Sequence, residues 1–332
     1  MDKHSQKNGI IEGTIWKQLL IFFFPILVGT FFQQLYNTVD AVIVGQFAGK
    51  EALSSVGGSS SQIINFVVGF FTGLSAGATV IISQFYGAND ANKIHRALHT
   101  AYAFSIVVNI LGGIIAGIIG IALTVPVMKL MNTPEELMHD SAMYVMIYFG
   151  GLVFIFVYNM GSAILRAIGD SKRPLYYLII CCFINIVLDI VFVSVLKLGV
   201  LGVAVATFIS QLVSAVLVTR ALMYHTEGMK LVLKEIRLHG DVLPAMLKIG
   251  LPTGIQSSMY SASNIIVQSA LNGFGVDTVA AWSAFGKIDS MYWMINTAFG
   301  IAATTFVGQN FGAGEIKRCK KTLLLCLLEG II

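Results

Sequence analysis

The chain has 332 residues, of which 56% are apolar and 11% charged, with a formal net charge of +4 and a mean hydropathy of +0.80. A soluble protein carries about 25% charged residues, so this composition excludes a soluble enzyme, a disordered chain and a disulfide scaffold. What remains is an all-α polytopic membrane protein. Its cysteines, Cys181, Cys182, Cys319 and Cys326, show no CxxC pair and no metal-ligand spacing. The adjacent Cys181 and Cys182 read as small buried hydrophobes.

The first 17 residues are polar and carry Lys3, Lys7 and Lys17. The apolar stretch that follows is too long for a signal peptide and lacks a small-residue cleavage site, which predicts an uncleaved first span. Eight spans are predicted, near 17–45, 56–84, 97–124, 139–165, 174–196, 199–221, 245–272 and 280–309, and a ninth begins near Thr322. Crossing the hydrocarbon core takes about 20 helical residues. The stretch from Thr322 to Ile332 is shorter, so the sequence reads as a C-terminally truncated piece of a longer chain.

Lysine and arginine placement sets the expected orientation. With the N-terminus in the cytoplasm, 17 of the 21 basic residues lie inside, Lys50, Lys129 and Lys197 lie outside, and Lys287 falls within span eight. A bias of this size predicts an N-in, multi-pass protein of the cell membrane. Residues 222–244, with Lys230, Lys234, Glu235 and Arg237, read as a cytoplasmic amphipathic connection. The expected organisation is an N-lobe of six spans at 1–221, a linker at 222–244 and a partial C-lobe at 245–332.

The chain repeats itself. Phe24-Pro25-Ile26-Leu27-Val28-Gly29 resembles Leu251-Pro252-Thr253-Gly254, and the expected loop Gly49-Lys50-Glu51-Ala52-Leu53 resembles Gly275-Val276-Asp277-Thr278-Val279. Gln84-Phe85-Tyr86-Gly87-Ala88-Asn89-Asp90 resembles Gln309-Asn310-Phe311-Gly312-Ala313-Gly314-Glu315. The offsets stay near 226 residues and enclose six spans. Six is even, so the copies enter the membrane in the same direction. The expected fold is two parallel six-helix repeats, the second incomplete, a layout used by secondary transporters.

Acids inside spans are the sharpest chemical signal, because a carboxylate at the bilayer centre costs about 2.5–3.5 kcal/mol. Asp40 shares one helical face of span one with Gln33, Tyr36 and Asn37, at i, i+3, i+4 and i+7. Asp189 in span five has Asn185 four residues before it. Both spans run outward, and at 1.5 Å per residue both acids lie roughly 9–12 Å below the outer surface. They are expected to share a cavity that takes a proton or a cation; the alternative is that each only hydrogen-bonds a neighbouring helix.

Other features carry less. Lys287 and Asp289 form either an internal pair or a polar helix end. Arg166 and Asp170 read as a solvated turn. Pro25, matched by Pro252, is either a hinge or a static kink. Gly69, Gly73 and Gly77, and Gly113 and Gly117, read as close-packing faces. Gly73-Leu74-Ser75-Ala76-Gly77 matches the hydrolase pattern GxSxG, but it lies mid-helix without a histidine partner. No catalytic, nucleotide-binding or nucleic-acid motif is present, so neither an enzyme nor a nucleic-acid partner is expected.

Several segments together resemble the MATE (multidrug and toxic compound extrusion) family. They are Leu35-Tyr36-Asn37-Thr38-Val39-Asp40 followed by Val44-Gly45 and Ala52-Leu53, then Leu165-Arg166-Ala167-Ile168-Gly169-Asp170 with Lys172-Arg173-Pro174. Asn185 to Asp189 and Gly308-Gln309-Asn310-Phe311-Gly312-Ala313-Gly314 complete the match. The resemblance implies twelve spans in two lobes and export of cationic or amphipathic compounds in exchange for H⁺ or Na⁺, with no cofactor and in monomeric form. It implies an N-lobe ion site at Tyr36, Asp40, Asn159, Asn185, Asp189 and Thr207, with Gln33 on the same face; Gln33 and Asn37 are expected to line the substrate cavity. Na⁺ at Asp40 and Asp189 is one version of that site. Tyr260 stands where one branch of the family has an acid, so the sequence is closer to the DinF-like branch. A lipid-linked sugar flippase of related fold is the rival transporter; its cationic cavity fits poorly with the acids in these spans. A non-transporting receptor or assembly subunit would not need acids at matched depth.

Overall fold

The computed structural model describes residues 9–130, 133–224, 229–272 and 276–331, with backbone alone at some helical positions, among them 109–123 and 276–281. All regular elements among the described residues are helices, and no strand is present among them. A single turn, α1 (Gly9–Glu12), precedes the long α2 (Ile15–Phe47). Then come α3 (Lys50–Gly57), α4 (Ser59–Gly87), α5 (Ala91–Leu130), α6 (Glu135–Gly150) and α7 (Leu152–Ala167). Next is α8 (Lys172–Asp189), which runs into a π-helical turn at Ile190–Val195, and then α9 (Gly199–Met223). The chain finishes with α10 (Leu243–Asn272), α11 (Val276–Gly312) and α12 (Ile316–Ile331).

By length and composition, α2, α3–α4, α8 with its π turn, and α9 can each cross a membrane, and the bent pair α6–α7 makes a further span. Helices α5, α10 and α11 occupy the places of the expected third, seventh and eighth spans and are 40, 30 and 37 residues long. Both proline-containing repeats are continuous helix: Pro25 lies inside α2 and Pro252 inside α10.

Three boundaries differ from expectation. The segment after Gly49 is not a loop: α3 starts at Lys50, and only Gly49, at φ 93°, stays outside the helix. Span four is not continuous: α6 and α7 meet at 48° across Gly150-Gly151. A side chain at Gly151 would meet Gln211 Oε1 of α9 at 2.5 Å, so the glycine lets α9 come close at the bend. The last helix starts at Ile316 instead of near Thr322, because Arg318 finds partners inside the protein. Its guanidinium donates to Asn310 Oδ1 at 3.0 Å and to the carbonyls of Ile10 and Gly13 at 3.0 and 2.7 Å.

Helices in lipid gain little from burying apolar surface against one another, so close packing must hold them. Gly73 faces Gly254, where an added Cβ would sit 2.7 Å from the Cα, and Gly77 faces Met246 and Gly250. This makes the α4–α10 seam. Gly113 and Gly117 lie outside the described side chains. At another contact between the repeats, Phe22 and Phe23 of α2 pack on Phe306 and Phe299 of α11, the second pair stacked at 4.0 Å. Gly87 presents its backbone to the Gln309 carbonyl and Gly312 to the Gln84 carbonyl, a reciprocal contact between repeat-equivalent residues.

The linker is extended, with one 3₁₀ turn at Leu233–Glu235. It docks on the start of α5. Val232 N–H donates to His99 Nε2 at 3.0 Å, Arg96 pairs with Asp241 at 2.6 Å, and Thr100 Oγ1 bonds His239 Nδ1 at 2.9 Å. Leu231 and Val242 are buried beneath it.

Candidate functional site

Helices α2 and α8 pack side by side. On α8, the i, i+4 spacing puts Asn185 and Asp189 on the face turned to α2; on α2, the same spacing puts Tyr36 and Asp40 toward α8 and α9. Asn185, with its amide oriented to satisfy both acids, donates to Asp40 Oδ1 at 2.9 Å and to Asp189 Oδ2 at 3.0 Å. The two carboxyl groups are also within hydrogen-bonding reach of one another. The Tyr36 hydroxyl reaches Asp40 and lies 3.4 Å from Thr207 Oγ1 of α9.

The cluster is enclosed. Asn185 and Asp189 are 0% exposed, Thr207 2% and Asp40 9%. Ile43, Val44, Val193, Val200 and Val203 form an apolar wall in the same half of the bundle. Asp189 Oδ1 has no hydrogen-bond donor. Among the described residues, no basic side chain interacts with either carboxyl. Immediately after Asp189 the helix loosens into the π turn, an irregularity that often accompanies functional sites. Two carboxyls, an amide, a phenol and a hydroxyl, with no basic side chain beside them among the described residues, make a cluster of hard oxygen groups whose chemistry suits a proton or a small monovalent cation.

Sequence reasoning missed part of this pocket. Tyr144 and Tyr148 of α6 lie close enough to interact electrostatically with Asp40, and Tyr148 also lies near Gln211 of α9. Their i, i+4 spacing in span four was the available signal. Other named residues stand apart. Gln33 and Asn37 are exposed on α2, so the expected single face divides at the α2–α8 contact. Asn159 is half-buried on α7, and no hydrogen bond described here joins it to either acid.

The remaining candidates resolve as follows. The Lys287 side chain lies outside the described residues, and Asp289 is half-buried on α11. Tyr260 is exposed and packs beside Trp293. Asp170 accepts the first two amides of α8 and pairs with Arg173 at 3.1 Å. Arg166 does not share that solvated turn. It is half-buried with an unpartnered Nε, because α11 covers the end of α7, where Gln309 Nε2 donates to the Ala167 carbonyl at 2.8 Å. Ser75 of the GxSxG match bonds back to the Thr72 carbonyl within α4 and has no elbow geometry.

The family model for MatE matches residues 25–191 and 252–332. The chain belongs to the MatE family. Two Bacillus subtilis (strain 168) relatives, each named a probable multidrug resistance protein, agree. YoeA is 29% identical over 94% of this chain and 68% of its own length, and YpnP is 31% identical over 92% and 67%. This MATE chain therefore spans about two thirds of the length of these relatives. A solved structure described as the outward-facing conformation of a multidrug resistance MATE family transporter of the MOP superfamily superposes with a TM-score of 0.88 at 22% identity, covering 98% of this chain and 71% of that one. A MOP superfamily transporter from Pyrococcus furiosus gives 0.87 at 22% identity, with coverage of 98% and 71%. The fold is thus the all-α, multi-pass MATE type. Membership makes the protein a membrane transporter and not an enzyme.

Proposed function

We propose that this MATE protein exports small amphipathic or cationic compounds by antiport, and that the coupling ion is a proton held between Asp40 and Asp189. The names of its relatives support the substrate class. One observation carries the ion assignment: two enclosed carboxyl groups within hydrogen-bonding reach, bridged by Asn185, with no basic side chain beside them among the described residues. Like charges at that separation do not both stay ionised, so one shared proton satisfies the geometry. A second proton, arriving from outside, neutralises the pair and releases Asn185 from its bridging role. That repacks α2 against α8 and α9 and weakens the N-lobe's hold on a cationic guest. Inward movement of one charge supplies about 2.3 kcal/mol per 100 mV.

The lysine and arginine bias supports a cytoplasmic N-terminus in the cell membrane, with the linker inside. The protein works as a monomer whose partners are its compounds and the bilayer. The unpartnered Asp189 Oδ1 favours Na⁺ as the second reading. Purified protein in liposomes is to be given a fluorescent cationic compound and either a pH or a Na⁺ gradient. The proton reading expects uptake driven by the pH gradient alone and abolished by Asp40→Asn. Uptake driven only by Na⁺ replaces the proton with the second reading, and unchanged uptake by Asp40→Asn removes the site.

A further inference from the structure

Far from the carboxyl pair, where the linker docks on α5, the structure brings together three side chains that the transport reading does not use. His95 and His99 lie one turn apart on α5, their ring centroids 4.0 Å from one another. Glu235, from the 3₁₀ turn of the linker, places Oε2 2.9 Å from His95 Nε2. One ligand atom from each of the three lies within 4.8 Å of the other two. We propose that His95, His99 and Glu235 bind a divalent transition-metal ion of the zinc class, which fastens the linker to α5.

The chemistry of the donors fits. Two imidazoles and a carboxylate are a common zinc set, and histidines at i and i+4 present their nitrogens from one helix face. The His99 tautomer is already the one that ligation needs. Its Nδ1 bonds the His95 carbonyl at 2.7 Å, which leaves the Nε2 lone pair facing the linker. That lone pair now accepts the Val232 N–H at 3.0 Å, and a metal would take the place of this hydrogen bond. Val232 is only half-buried, so its amide can turn to water.

The spacing also fits. Bonds of 2.0–2.1 Å in a tetrahedron separate ligand atoms by about 3.4 Å. The His95–Glu235 separation is 2.9 Å and no separation among the three exceeds 4.8 Å, so small side-chain rotations reach that value. The side chains of His95 and Glu235 are 34% and 54% exposed, which leaves them free to adjust and leaves water access to the open coordination position. Two nearby basic groups are engaged elsewhere: Arg96 with Asp241 at 2.6 Å, and Arg237 with His239 Nε2 at 3.1 Å.

Untagged full chain in detergent, stripped of metal by a chelator, is titrated with Co²⁺ and then Zn²⁺, and the visible d–d absorption is followed. The expected result is about one Co²⁺ per chain, with the intense spectrum of a four-coordinate site, displaced by Zn²⁺. His95→Ala abolishes that spectrum and Glu235→Gln weakens binding at least 10-fold, whereas His139→Ala, on α6, changes nothing. His99→Ala also loses the Val232 bond and risks undocking the linker, so the test rests on the two more exposed ligands. Absence of the four-coordinate spectrum, or a spectrum that survives both His95→Ala and Glu235→Gln, overturns the site. Because the readout is metal binding, the result stands apart from whether the protein moves protons or drugs.

Discussion

Asn185→Ala tests the carboxyl pair most directly. The substitution deletes an amide that donates at 2.9 Å to Asp40 and at 3.0 Å to Asp189. A hydrogen bond to an ionised acceptor contributes about 1.5–3 kcal/mol, and a neutral one about 0.5–1.5 kcal/mol. With a single proton on the pair, one bond of each kind is lost, which totals about 3 kcal/mol, or roughly 150-fold in the folding equilibrium. Thermal unfolding of the detergent-solubilised protein should fall by about 5 °C or more. The decisive comparison is a double-mutant cycle with Asp40→Ala, in which one of the two acceptors is gone. There the cost of Asn185→Ala should drop, because only the bond to Asp189 is left to lose. An equal cost in both backgrounds, or a cost under about 0.5 kcal/mol in the parent, refutes the bridging geometry.

Three further outcomes follow from local structure. Gly73→Ala drives a Cβ to 2.7 Å from the Gly254 backbone and should destabilise the α4–α10 seam by about 1–3 kcal/mol, whereas at Gly69 the nearest atoms lie at 3.8 Å and alanine should be tolerated; thermal unfolding of both variants checks this. Asp170→Ala removes the acceptor for the first two amides of α8 and should cost about 1 kcal/mol, measured the same way. At the linker, desolvation, with Arg237 and Arg96 nearby, holds the His239 pKa below its ordinary value, while Asp241 opposes this. A histidine depressed in the folded state binds fewer protons there than when unfolded, so its contribution to docking is present above about pH 6.5 and is lost as pH falls. Protease protection of the linker should therefore fall more steeply between pH 7.5 and 5.5 in the parent than in His239→Gln.

Much of this architecture is legible in the sequence, because hydropathy and charge placement respond directly to the bilayer. The acids were visible for the same reason: Asp40 and Asp189 are rare inside apolar runs, and both lie late in spans of the same expected direction. What was missed depends on tertiary contacts. Tyr144 and Tyr148 do not stand out in an apolar helix, and only the fold turns them toward Asp40. The 48° bend at Gly150-Gly151 breaks the helical phase between α6 and α7, so counting residues along span four cannot say which way Asn159 faces. The early start of α12 was hidden because Lys317, Arg318, Lys320 and Lys321 look like a solvated loop. Their helix is anchored by Arg318 on the carbonyls of Ile10 and Gly13, about 300 residues away in sequence.

The repeat has a consequence that similarity alone does not supply. Two related segments need not touch; here they do, and in a self-complementary way. Gly87 meets the Gln309 backbone, with an added Cβ 2.6 Å from its carbonyl carbon, and Gly312 meets the Gln84 backbone, with the same distance at 2.7 Å. Each glycine is the equivalent of the other, as are the two glutamines. Neither backbone can yield without moving a whole helix, so Gly87→Ala and Gly312→Ala should each cost about 1–3 kcal/mol. Because the two environments are near copies, the costs should agree within about 0.5 kcal/mol. The two substitutions act on one crossing, so the double variant should cost less than their sum, since a shift that accommodates one Cβ also makes room for the other. Unequal single costs, or strict additivity in the double variant, would show that the two glycines belong to separate contacts and that the crossing is not a shared, symmetric one.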